Sequence, residues 1–160
     1  MVFCRPVPSN YTKHGEESMR GATAKKPSRS VLAPVHAVFR AVVVTVVPDA
    51  KQLDEPSWLA LEGLVEDALE IRPAALRGQL QLLLRAIEWL PVVRYGRTFA
   101  ALGDEQRSRV LRYLQDHPVE HIRCGFWGLR TLAFLGYYGR PEGAHAIGYA
   151  PDPRGWEAVR

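Results

Sequence analysis

The strongest periodic signal in the chain lies at Leu76, Leu80, Leu83, Ile87 and Leu90, spaced by alternating fours and threes. That is the apolar stripe of an amphipathic helix, opened by Pro73 and stopped by Pro91. Upstream, Asp54-Glu55-Pro56 is a helix start, with acids at the positive end of the dipole and proline in the first turn. Trp58, Leu61, Leu64, Val65, Ala68 and Leu69 then form one apolar face, and Glu62, Glu66, Asp67 and Glu70 are expected to face water. The stretch VHAVFRAVVVTVV (35–47) is rich in β-branched residues and could be a strand by propensity alone. It is longer than a usual strand, and Pro34 and Pro48 bracket it as helix boundaries. A helix is therefore predicted, burying Val35, Val38, Phe39, Val42, Val43 and Val46.

Residues 94–99 read as a connector. A fourth helix follows, with Asp104 as its N-cap and Val110, Leu111 and Leu114 inside. Pro118 restarts the chain into residues 119–138, where only Arg130 and Thr131 are polar between Cys124 and Tyr138. A helix apolar almost all round is buried on several sides, so this one is expected at the centre. The fold class is all-α: a compact bundle of about five helices with short, proline-punctuated connections. Residues 1–33 mix Pro, Ser, Asn, Gly and Lys without an apolar period and are expected to be a disordered basic N-terminal arm. Residues 34–139 form the helical domain, and 140–160 an extended C-terminal arm. Met19 is a second candidate start.

With 160 residues, 47% hydrophobic and 24% charged, the chain is long enough for one cored domain. Its net charge of +4 gathers partly at Lys13, Arg20, Lys25, Lys26 and Arg29. The long apolar run at 31–47 is interrupted by His36 and Arg40, so no transmembrane helix is expected. A cleavage site and a twin arginine are both lacking, which points to a cytoplasmic location, with export as part of a complex left open. Cys4 and Cys124 are far apart in sequence, so a disulfide framework is not expected and the usage fits a reducing compartment.

Candidate chemistry is sparse. His117, His121 and Cys124 are spaced like part of a metal site, but no fourth ligand accompanies them, and a helix-start histidine beside a buried thiol explains them as well. Gly125, Gly128 and Gly136 lie in the apolar helix, where glycines permit close packing rather than cradle a phosphate. No nucleophile has an evident base. No catalytic, cofactor-binding or metal residue is expected in this chain. The basic N-terminal arm leaves open a free-standing regulatory or nucleic-acid-binding module.

The C-terminal half is more specific. FAALGDEQRSRVLRYLQDHP followed by FWGLRTLAFLGYYGRPEGAHAIGY resembles the small accessory subunits of gluconate 2-dehydrogenase type, the subunit 3 family, and the N-terminal region of long-chain alcohol oxidases. The residues carrying the resemblance are Phe99 and Leu102, Arg109 and Leu111, Tyr137 and Tyr138, Pro141, and Ile147-Gly148-Tyr149. His145, after Gly143 and Ala144, stands where the family often has Trp, and the twin-arginine signal of many relatives is missing. The resemblance implies a non-catalytic subunit that binds, stabilises or matures a large FAD-dependent oxidoreductase of the glucose-methanol-choline class, acting on a sugar or alcohol. The FAD belongs to that partner. Tyr138, Arg140, Pro141, Ile147, Tyr149 and Trp156 are the candidate partner-binding residues, since aromatic side chains are enriched in interface cores. Tyr137 falls on the Ile122–Phe126–Leu129–Ala133 face and is expected in the core. Trp127 and Arg130 could add a second patch, against the commoner outcome of a buried Trp.

Overall fold

Phe39, Val42 and Val43 lose all contact with solvent at the middle of the bundle in the computed structural model, which describes residues 30–148. They belong to α1 (His36–Val46), entered through a 3-10 turn at Ala33–Val35 that Pro34 helps to set. The β-branched run is helical because its valines fill the interior from one side, a tertiary gain larger than the few tenths of a kcal/mol per residue by which valine disfavours a helix. The bundle continues with α2 (Glu55–Glu70), α3 (Ala74–Trp89), the one-turn α4 (Val92–Tyr95), α5 (Asp104–Gln115), α6 (Glu120–Tyr138) and the short α7 (Pro141–Ala146). Among the described residues there is no strand. The architecture is all-α, with five helices of eleven residues or more.

α6 is the centre that its composition implied: it packs on α1, α2, α3, α5 and α7. Its closest neighbour is α2, approached at Gly136. A Cβ there would stand 2.9 Å from Leu61 Cγ and 3.0 Å from Val65 Cγ2, so only glycine lets the two backbones come this near. Gly125 likewise faces Leu83 of α3.

Several expectations shift on contact with the fold. The α3 stripe turns toward Leu84, which is fully buried, while Leu83 is half-buried and Leu90 is exposed. Val46 is half-buried at the end of α1. Asp54 caps α2 as expected, accepting from Ser57 N–H at 3.1 Å. At α5 the cap is Gly103; Asp104 is the first helical residue and turns to Lys51 instead. Val31 and Leu32, assigned by sequence to the N-terminal arm, belong to the core. Residues 141–146, placed by sequence in the extended arm, fold back as α7 against α6. Residues 1–29 and 149–160 of the two arms lie outside the described residues.

The acidic face of α2 is not simply solvated. Glu66 accepts from Ser30 Oγ (2.6 Å), Val31 N–H (3.1 Å) and Leu32 N–H (2.7 Å), fastening the entry of the chain to the bundle. Glu62 accepts from Arg40 Nε at 2.7 Å, and Arg40 grips Glu55 with both terminal nitrogens, at 2.8 and 2.9 Å, while lying over the Trp58 ring. The chain entry and α1 are thus tied to α2 by its carboxylates. Removing the Glu66 carboxylate leaves two amide N–H groups unpaired in a half-buried position. Glu66→Ala should therefore cost about 2 kcal/mol, measured by urea unfolding against the parent chain.

Three carboxyls sit below their ordinary range: Asp54 through its bonds to Ser57, Glu55 through Arg40 and Asp104 through Lys51. Each binds its proton less readily folded than unfolded, so folding gains stability above the unfolded values and loses it as pH falls through the folded ones. The melting temperature should stay level down to about pH 4.5, the ordinary value for Glu, and fall below it. A melting temperature that instead rises in acid contradicts these pairings.

Candidate functional site

α6 has two apolar sides. Phe126, Leu129, Ala133 and Tyr137 point into the bundle and are buried. Trp127, Thr131, Phe134 and Tyr138, at spacings of four, three and four, fall on the side next to it. Trp127 is 47% exposed, contrary to the commoner outcome of a buried indole, and Leu135 beside this row is also exposed. Phe134 and Tyr138 are half-buried.

Arg130 ties the row together. Its guanidinium lies 5.0 Å from the Trp127 ring centre and 5.2 Å from that of Phe134. Phe134 and Tyr138 are 6.0 Å apart centre to centre, and Tyr138 meets Tyr137 edge-on at 5.0 Å. The result is a preformed ladder of aromatic faces with one cation threaded through it. Stacked in this way, the long arginine loses little further freedom when covered, and the rings offer large flat areas at low entropic cost.

The ladder ends at the corner between α6 and α7. Gly143 lies so close to the end of α6 that an added Cβ would collide with the Tyr137 carbonyl, and this approach folds α7 back. Arg140 starts that corner and is buried, 3% exposed, with its guanidinium 5.2 Å from the Tyr137 ring centre. Its Nε has no hydrogen-bond partner among the described residues. Burial, and secondarily the charge of Asp49, pushes the Tyr137 hydroxyl above its ordinary value, so the phenol stays neutral at physiological pH.

Of the six candidate residues, Tyr138 is on the ladder, Pro141 is exposed at the corner, and Ile147 is 60% exposed just past it. Arg140 is at the same corner but faces inward. Tyr149 and Trp156 lie outside the described residues. The sequence reading underrated Trp127 and passed over Phe134, although their spacing with Tyr138 is a second stripe that a helical wheel separates from the first.

Of the candidate metal ligands, His117 accepts the Val119 N–H at its Nδ1 (3.1 Å) and meets Tyr113 edge-on. Cys124 is not a free thiol. No group of three metal-binding side chains occurs among the described residues. None of their helices is long and apolar enough to cross a membrane. Comparison with family models, with curated proteins and with solved structures finds no match to the chain.

Proposed function

We propose that this chain is a non-catalytic accessory subunit that binds, and thereby stabilises or matures, a large FAD-dependent oxidoreductase of the glucose-methanol-choline class acting on a sugar or alcohol. The motif resemblance over residues 99–149 supports the class of partner. The Trp127–Arg130–Phe134–Tyr138 ladder, with its indole exposed and its other members half-buried, is the observation that carries the role. An indole held in water by an ordered stack of a guanidinium and half-buried rings has the make-up of an anchor that another surface covers. Pro141 and Ile147 are exposed past the end of that row, and Arg140 braces the corner from below. FAD and the catalytic base belong to the partner.

The test is co-expression with a flavoprotein encoded beside this chain. The large protein should be soluble and flavin-loaded only in its company; equal solubility, flavin content and activity without it would sink the proposal. Trp127→Ala, Tyr149→Ala and Trp156→Ala should each weaken assembly by about 2 kcal/mol, roughly thirtyfold in Kd by titration calorimetry. Circular dichroism should show unchanged helix content, which separates an interface role from a core role.

A further inference from the structure

Residues 71–103 carry five arginines (Arg72, Arg77, Arg85, Arg94 and Arg97) against one acid, Glu88. The Glu88 carboxylate is occupied by the Ala100 N–H at 3.3 Å. α3 buries Leu76, Leu80, Leu84 and Ile87. On its other side Leu82, Ala86 and Trp89, at i, i+4 and i+7, are all exposed, and Val93 on α4 carries the apolar run past Pro91. The exposures are large: 69% for Leu82, 63% for Trp89 and 96% for Val93. Arg85, Arg94 and Arg97 are exposed in the same stretch, and Arg94 lies over the Tyr95 ring.

We propose that this α3–α4 corner docks on an anionic lipid surface, with Leu82, Trp89 and Val93 entering the headgroup zone and Arg85, Arg94 and Arg97 meeting lipid phosphates. An apolar strip with tryptophan, flanked by exposed arginines and by one half-buried carboxylate at Glu88, has the chemistry of a helix that lies in the plane of a membrane interface. A second copy of this chain docked across a two-fold axis would bring the same arginines face to face. A protein partner would favour a groove, whereas Val93 projects almost fully from the surface. Bare nucleic acid would pair with the arginines but leave the aliphatic side chains in water. This surface is separate in sequence from the α6 ladder and does not depend on the function proposed for it.

The experiment is sedimentation of the full chain with vesicles of phosphatidylcholine alone and of phosphatidylcholine with about a third phosphatidylglycerol. Binding is expected to the anionic vesicles and not the neutral ones, to weaken with salt, and to blue-shift the tryptophan emission. The pairs Trp89→Ser with Val93→Ser and Arg94→Glu with Arg97→Glu should each lower the partition coefficient at least tenfold. The arginine positions are exposed, so that pair keeps the test open if the apolar pair unfolds by circular dichroism. No binding to anionic vesicles overturns the proposal. Undiminished binding by the arginine pair would assign the affinity to the N-terminal arm and overturn it as well. Light scattering that shows a dimer dependent on Trp89 would replace the lipid with a second copy.

Discussion

Phe39→Ala should lower the unfolding free energy by about 4 kcal/mol and the melting temperature by roughly 10 °C. Phe39 is among the largest side chains with no solvent exposure. α1, which carries it, packs against α3, α5 and α6, so the hole left by the ring would be walled by several helices at once. Such a cavity cannot close by moving one element, and its cost adds to the lost transfer energy of the ring. Thermal unfolding followed at the helical band measures it. A loss under about 1 kcal/mol would mean that the site collapses freely and that α1 is not the centre of packing.

The second large effect is at Gly136. Gly136→Val should cost about 3 kcal/mol, because its first carbon already meets Leu61 and Val65 at 2.9–3.0 Å and its methyl groups have nowhere to go. Leu61 and Val65 are themselves fully buried and cannot retreat into solvent. Gly136→Ala should be milder, since alanine recovers about 1 kcal/mol of helix propensity against the same clash. The valine variant also moves α6 away from α2, and the Trp127–Phe134–Tyr138 row moves with it. Partner affinity should then fall together with stability, whereas Trp127→Ala lowers affinity alone. Denaturant melts and partner titrations on both variants separate the two effects. A fully stable Gly136→Val chain would show that the α2–α6 contact is looser than the geometry implies.

Much of the fold was readable from residue spacing. Prolines at 34, 48, 56, 73, 91, 118 and 141 stand at or near element boundaries, because a proline ring suits a first turn and breaks an interior. The Asp54 cap was legible because its oxygen has one local job, and Val110, Leu111 and Leu114 were legible as an inward face. The misses share a cause. Leu83, Leu84 and Leu90 are equally apolar, and a local pattern cannot say which of them neighbouring helices will cover. Glu62 and Glu66 look like any solvated helix face until Arg40 and the 30–32 segment arrive from elsewhere in the chain. Trp127 was weighed as core because α6 is apolar around most of its circumference, yet four or five neighbours do not enclose a nineteen-residue helix completely.

The candidate site divides in the same way. Aromatic residues at the end of α6 marked a candidate surface by type alone, and the class of partner proposed for it rests on the motif resemblance. Which rings stand in water and which are stacked by Arg130 depended on how α6 rolls against α2. The inward turn of Arg140 depended on Gly143 folding α7 back.

Sequence alone determined that this chain is all-α, roughly where its five long helices lie, and which residues form most of the inward faces, because helix propensity, capping and amphipathic period act within a few residues along the chain. Only the tertiary structure decided the α2–α6 approach at Gly136, the anchoring of the chain entry by Glu66, and the exposure of the Trp127 and Trp89 faces. Those depend on distances between segments far apart in sequence, and burial at such positions belongs to the assembled pair of surfaces rather than to either residue.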